Sequence, residues 1–477
     1  MSENSVRESR AYTGRVDATL ADVDPALAEL AADLPAHALL TDADQIEGYR
    51  RDAAADPLAG RPRAVARATS TADVQSVLRW ATRHRVAVVP RGAGSGLSGG
   101  ASAVDGCVVL STERMRGIRI DPATRVAVVQ PGALNAEVKR AAAEHGLWYP
   151  PDPASVDISS IGGNAATNAG GLCCVKYGVT TDYVLGMQVV LADGTAVTLG
   201  GPRLKDVAGL SLTKLFVGSE GILGVITEVT LRLIPAQASP STVVAMFGTV
   251  QDAANAVVAI TASVRPAMLE LMDHASINAV EDYGRMGLDR SAQALLLVQS
   301  DAPGDATAEV AHIVEACERS GATEVFATDD PAEGAGFTAA RRLVAPALMQ
   351  LGTVLLEDVT VPIPTLPALL GGINRIAAEC DVLICVVAHA GDGNTHPVVV
   401  FDADDAASQA RAERAFSEVM DLAIAMGGTI TGEHGVGRLK RDWLPKQLGD
   451  DVMGLTRRVK DALDPLGILN PGAVLSA

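Results

Sequence analysis

Val86-Ala-Val-Val-Pro-Arg-Gly-Ala-Gly-Ser-Gly-Leu-Ser-Gly-Gly100 runs from an apolar strand pattern straight into a loop of small residues, and Cys107-Val-Val-Leu110 resumes a strand pattern soon afterwards. Gly94, Gly96 and Gly99 reproduce the G-x-G-x-x-G spacing of a dinucleotide-binding turn, which would open a crossover helix between two parallel strands. No such helix fits here, because the few residues between Gly100 and Cys107 cannot form one. What remains is a loop whose backbone N–H groups can line a nest for a pyrophosphate. Upstream, Ser70-x-x-Asp73 reads as a helix start, and Val74, Val77, Leu78 and Ala81 give the stripe of a helix packed on a core.

Two further glycine-rich stretches follow. Ser159-Ser-Ile-Gly-Gly-Asn-Ala-Ala-Thr-Asn-Ala-Gly-Gly171 comes after a helix pattern over 134–144 and the rigid Pro150-Pro-Asp-Pro153, and it offers bare backbone along which a long flat cofactor could lie. The third is Leu215-Phe-Val-Gly-Ser-Glu-Gly-Ile-Leu-Gly-Val-Ile-Thr227, ahead of another strand. Between them, Asp193-Gly194 turns a hairpin of 186–191 and 195–199. Pro235 to Pro240 reads as a linker, and beyond it come alternating helix and strand patterns, among them a strand at 295–298 and a helix over 409–426.

A different chemistry sits downstream, in His389-Ala-Gly-Asp-Gly-Asn-Thr-His396 and Gly432-Glu-His-Gly435. Ile384 to Ala388 reads as a buried strand and Val398 to Phe401 as its return, so the two histidines face each other across the connection. With Glu433 or His434 they make a nitrogen and oxygen donor set suited to zinc or manganese, with a position left open as catalytic sites require. Spacing alone leaves a structural role for the histidines equally open.

The chain has 477 residues, a formal charge of −18 and 48% hydrophobic residues. That length suggests two to four domains at about 150 residues each. The negative balance argues against a nucleic-acid partner and against electrostatic docking on anionic membranes. No apolar run approaches the roughly 18 residues of a spanning helix, and the charged stretch Met1 to Arg15 lacks the apolar core of a signal peptide. The six cysteines form no C-x-x-C pair and no disulfide framework, so a reducing, cytoplasmic compartment is expected, with peripheral association to a membrane as the alternative.

In this order the motifs resemble the FAD-linked 2-hydroxy-acid dehydrogenases of the vanillyl-alcohol oxidase superfamily: glycolate oxidase flavoprotein subunits, D-lactate dehydrogenases and D-2-hydroxyglutarate dehydrogenases. The carriers are Pro90 to Gly100, Ile161-Gly-Gly-Asn164, Lys176-Tyr-Gly-Val-Thr-Thr181, Val217-Gly-Ser-Glu-Gly221, His389 to His396, Gly432 to Gly435 and Asn470-Pro-Gly472. The resemblance spans about 40–475 and implies an α+β fold. Its parts are an N-terminal extension (1–38), a two-subdomain FAD-binding domain (39–235), a substrate domain with an antiparallel sheet (236–425) and a segment returning to the FAD domain to complete the site (426–477).

The resemblance also implies residue roles. Arg91, Gly92, Ala93, Gly94 and Ser95 would hold the pyrophosphate. Pro151, Asp152, Ser160, Gly162, Gly163 and Asn168 would be further FAD contacts, as would Gly170, Gly171, Glu220, Ile226 and Asn470. Ser95 stands where some members carry a flavin-bonded histidine, so non-covalent FAD is expected. His389, His396 and Glu433 would bind the divalent metal, zinc or manganese, which the substrate chelates. His434 would be the general base for the alcohol, with hydride passing from Cα to flavin N5. Arg341 would grip the substrate carboxylate and Asn394 would touch the substrate, whereas Arg342 reads as a structural charge.

In the 2-hydroxyglutarate branch a lysine precedes the Asp-x-x-x-Pro segment; here Leu356 takes its place, and Ala345 replaces a hydroxyl-bearing residue. D-lactate or glycolate is therefore favoured over D-2-hydroxyglutarate. Electrons would pass to a separate acceptor: quinone, cytochrome or electron-transfer flavoprotein. A multi-subunit glycolate oxidase is an alternative setting, a homodimer is the default assembly, and a non-redox enzyme on the same scaffold is disfavoured by the ligand set.

Overall fold

The computed structural model describes residues 24–54, 56–302 and 306–476. The Met1 to Arg15 stretch, read as unlike a signal peptide, lies outside them. Three sheets organise the chain. The first joins β1 (Leu39–Leu40), β2 (Ala64–Arg67), β3 (Val88–Arg91) and β4 (Val108–Ser111) in the order β1-β2-β4-β3. Between β2 and β3 runs the helix Thr71–His84, started by a capping box of Ser70 and Asp73 and buried on Val74, Val77, Leu78 and Ala81. β3 and β4 are parallel neighbours, with Val88 opposite Val108, and only the glycine loop connects them. Val86 and Ala87, expected in this strand, precede it, because its pairing begins at Val88.

The second sheet is antiparallel: β5 (Ile118–Asp121), β6 (Val126–Val129), β8 (Val184–Val190), β9 (Ala196–Gly200) and β10 (Val225–Arg232), in the order β5-β6-β10-β8-β9. β8 and β9 form the hairpin expected around Asp193-Gly194. Beside them β7 (Leu147–Trp148) pairs with β11 (Ile234–Pro235).

Past the linker an eight-stranded sheet contains β12 (Ser241–Phe247), β13 (Met268–Asp273), β14 (Ala294–Ser300), β15 (Ala322–Thr328), β16 (Thr353–Leu356), β18 (Leu383–His389) and β19 (Asn394–Phe401). Its order is β15-β12-β14-β13-β18-β19-β16, with β17 (Val359–Thr360) also on β19. Its central strands are covered on both faces, which is why they are nearly continuous apolar runs. Leu269, Leu271, Ile384, Val386, Ala388 and Val399 pack in one core with the helices Val250–Thr261 and Leu366–Cys380. Met268, Met272, Cys385, Val387 and Val398 pack in the core of the opposite face, which includes Leu172, the residue after the second glycine-rich stretch.

The C-terminal tail returns to the first sheet. Val88 N–H donates to Ile468 O at 2.8 Å and Asn470 N–H donates to Val88 O at 2.8 Å. All six cysteines are free. Among the described residues no helix is long and apolar enough to cross a membrane.

Candidate active site

Strand alternation builds the site. On β18, His389 shares its face with Cys385 and Val387, and on β19 His396 shares its face with Val398. Val387 pairs with His396 and His389 with Asn394, so the two imidazoles are diagonal neighbours with ring centroids 5.0 Å apart. The same parity on β13 turns Glu270 to this face, between Met268 and Met272.

Glu433 reaches the imidazoles from the C-terminal segment. Its Oε1 lies 3.1 Å from His389 Nε2 and 3.3 Å from His396 Nε2. The facing donor atoms of His389, His396 and Glu433 lie within 4.8 Å of one another, and the buried Glu433 Oε2 has no hydrogen-bond partner. Two imidazoles and a carboxylate with an unused oxygen fit a divalent cation. Burial would raise the Glu433 pKa, but the charges of His389 and His396 outweigh it and hold the carboxyl far below its usual range. Burial likewise opposes charge on His389, yet Glu270 and Glu433 raise its pKa well above the ordinary value.

His434 stacks on His396, with centroids 4.9 Å apart and planes 13° apart. Its Nε2 lies 3.7 Å from Glu433 Oε1, and its Nδ1, 3.9 Å from Asp358 Oδ2, has no hydrogen-bond partner. Burial pushes its pKa down to about 4, with Asp358 opposing, so the imidazole is neutral near pH 7. The loop carrying Glu433 and His434 is pinned by Asp358. Asp358 Oδ2 accepts from Thr431 Oγ1 at 2.7 Å and from the N–H groups of Gly432, Glu433 and His434 at 3.0, 3.0 and 2.8 Å. Burial alone would raise the Asp358 pKa; His434, Lys440 and His396 outweigh it and hold it at about 2.

Arg341 comes from the last turn of the helix Pro331–Arg342 and is 6% exposed. Its Nη2 lies 2.9 Å from Glu270 Oε2, and its buried Nε has no partner. Asn394 Oδ1 is also buried and unpartnered, and its amide abuts Gly432, where any side chain would collide with it. Arg342 is ion-paired instead, 3.3 Å from Asp152.

The three glycine-rich stretches converge on one another and on this cluster. Ala93 N–H donates to Ser160 Oγ at 3.2 Å, and a Cβ at Gly92 would collide with that hydroxyl. Gly94 has φ +75° and packs so closely over the Arg91 guanidinium that a side chain could not fit; Arg91 itself donates to Arg51 O at 2.9 Å. Gly162 and Gly163 lie in a seven-residue helix, Ile161–Thr167, capped by Ser160, rather than in the bare loop expected from their composition. Asn168 ends that helix at φ 56°, where its Oδ1 accepts from Thr181 N–H at 2.9 Å.

Gly170 joins the two halves of the site: a Cβ there would meet Glu433 Oε2 at 2.7 Å and Cys174 Sγ at 3.3 Å. A side chain on Gly171 would strike the Asp152 carbonyl, and Asn135 Nδ2 donates to Pro151 O at 3.2 Å. The Glu220 carboxylate is engaged by Val436 and Gly437 N–H, both at 2.7 Å, and Asn470 Nδ2 donates to Glu220 O at 2.7 Å. Ile226 packs in the core of the second sheet. Near these stretches Ser159 Oγ, Asn164 Nδ2 and Asn470 Oδ1 are buried without partners. Bare backbone beside unpaired polar groups suits a polar, extended cofactor such as FAD.

Sequence patterns did not single out Glu270 or Asp358 for this site. The available signal was a carboxylate inside an apolar run, Met268-Leu-Glu-Leu-Met272 and Val354-Leu-Leu-Glu-Asp-Val359. A buried charge needs a partner, so each marks a polar site.

Comparison with known proteins gives two domain matches, to the FAD binding domain over 62–200 and to the C-terminal domain of FAD linked oxidases over 236–474. The glycolate oxidase subunit GlcD of Bacillus subtilis is 42% identical over 419 residues, covering 87% of this chain and 89% of that one. A D-lactate dehydrogenase of Archaeoglobus fulgidus is 34% identical, covering 88% and 93%. In fold, the chain is similar to p-cresol methylhydroxylase, with TM-score 0.81, 17% identity and coverage of 94% and 96%.

Proposed function

The chain belongs to the FAD linked oxidases, with a fold of the vanillyl-alcohol oxidase type, and from that premise we propose that it oxidises a 2-hydroxy acid, D-lactate or the achiral glycolate, to the 2-oxo acid. FAD, a divalent cation and a separate electron acceptor complete the proposed reaction. The observation that carries this reading is the convergence of His389, His396, Glu433, His434 and the Arg341–Glu270 pair beside the glycine-rich stretches. In the proposed division of labour, 39–235 holds FAD, 236–425 supplies the substrate side and 426–477 completes the site.

When bound, the cation supplies a Lewis acid that lowers the alcohol pKa, and FAD supplies a two-electron acceptor. His389, His396 and Glu433 would hold the cation. His434 Nε2, on the Glu433 side, takes the alcohol proton, and the Asp358 carboxylate facing Nδ1 stabilises the resulting imidazolium. Arg341 binds the substrate carboxylate through its guanidinium, and Asn394, whose buried Oδ1 is unpartnered, lies in contact with the substrate. The loop 91–95 and the residues around 160–171 would hold FAD non-covalently. A relative named as a subunit of glycolate oxidase favours a second setting for the same chemistry, in which this chain is the flavoprotein of a larger complex.

Substrate length tests the assignment. Leu356 is half-buried, and a second carboxylate placed against it would lose its water without gaining a partner, while the exposed Ala345 offers no hydroxyl to it. That costs at least about 1–3 kcal/mol. The expected kcat/KM for D-lactate or glycolate therefore exceeds that for D-2-hydroxyglutarate by about tenfold or more; the reverse ranking would overturn the monocarboxylate reading.

A further inference from the structure

We infer that Glu270 is a positioning residue that holds the metal-binding and substrate-binding halves of the site in register. It is 1% exposed in the middle of the large sheet. Both its carboxylate oxygens lie 2.9 Å from His389 Nδ1, and Oε2 also lies 2.9 Å from Arg341 Nη2. One carboxylate thus turns His389 so that Nε2 faces Glu433, and anchors one arm of Arg341 while leaving Nε unpartnered. The pair Leu271↔Ala388 places Glu270 beside His389 on the adjacent strand, so rigid sheet rather than a loop sets this spacing.

A carboxylate on the far nitrogen of a ligating imidazole fixes the ring and raises its basicity. The same carboxylate compensates a buried guanidinium, which would otherwise lie unpaired. Losing it should therefore weaken two events together, cation binding through His389 and carboxylate binding through Arg341. This inference rests on the proposed roles of those two residues.

The test is E270Q, nearly isosteric, in the FAD-loaded protein, with zinc affinity read by competition with a chromophoric chelator alongside KM for D-lactate. The zinc Kd is expected to rise about 10–100-fold and KM to rise about tenfold, because Arg341 loses its anchor. Flavin content stays near wild type, while Tm falls because the buried Arg341 guanidinium loses its counter-charge. A purely structural role would lower Tm and leave both constants alone, and either constant within about twofold of wild type overturns the inference. Should E270Q fail to fold, E270D decides. One methylene shorter, it cannot reach both partners, so at least one constant stays about tenfold impaired; wild-type values for both overturn the inference. H389A separates the two levels of the argument. If wild type and H389A bind zinc equally, the ligand assignment itself fails, whereas zinc binding that depends on His389 but not on Glu270 rejects only the positioning role.

Discussion

An H434Q variant is expected to lose about 10²–10⁴-fold in kcat, the usual contribution of a positioned general base, while retaining full complements of FAD and metal. His434 stands outside the His389, His396 and Glu433 set, though it forms a second donor triad with Asp358 and His396; its ring stacks on His396 rather than bonding to Glu433, from which Nε2 is 3.7 Å away. Glutamine is close in size and keeps the backbone N–H that Asp358 accepts at 2.8 Å, so the loop carrying Glu433 stays in place. KM should change little, because Arg341 still binds the substrate carboxylate and the cation held by His389, His396 and Glu433 is retained. Flavin absorbance, elemental analysis and steady-state kinetics on one preparation check all three quantities. A kcat within about tenfold of wild type would remove His434 from the base role.

Chelation should have an effect of comparable size. Without the cation the alcohol keeps its ordinary, high pKa and the imidazole faces a reluctant acid, a loss of several kcal/mol or on the order of 10³-fold. The flavin should remain, since the residues proposed to hold it lie in the glycine-rich stretches rather than in the histidine cluster. Added zinc or manganese is expected to restore turnover. Activity that survives metal depletion confirmed by elemental analysis contradicts the metal-assisted scheme.

Much of this architecture is legible in the amino-acid sequence. The loop after β3 excluded a crossover helix by length alone, and β3 and β4 are indeed joined without one. The histidine pair was readable because β-alternation and a glycine turn are local signals, and its register in β18 and β19 follows them. Local signals misled at Ile161–Thr167, where glycines that look like open loop are drawn into a short helix by the Ser160 cap. They were silent on the residues that hold the site together. Glu270 meets His389 across 119 positions of sequence, and Asp358 meets the His434 backbone across 76. No periodicity links positions so distant; only sheet pairing and the return of the C-terminal segment bring them into contact.

The chain is proposed to oxidise a 2-hydroxy acid, D-lactate or glycolate, with a non-covalent flavin. The most direct measurement is anaerobic mixing of the purified, metal-loaded flavoprotein with D-lactate, L-lactate, glycolate and D-2-hydroxyglutarate in turn, following the flavin absorbance. The account predicts rapid bleaching by D-lactate or glycolate, little by L-lactate, and loss of that bleaching after metal removal. A flavoprotein that stays fully oxidised with every one of these acids would contradict it.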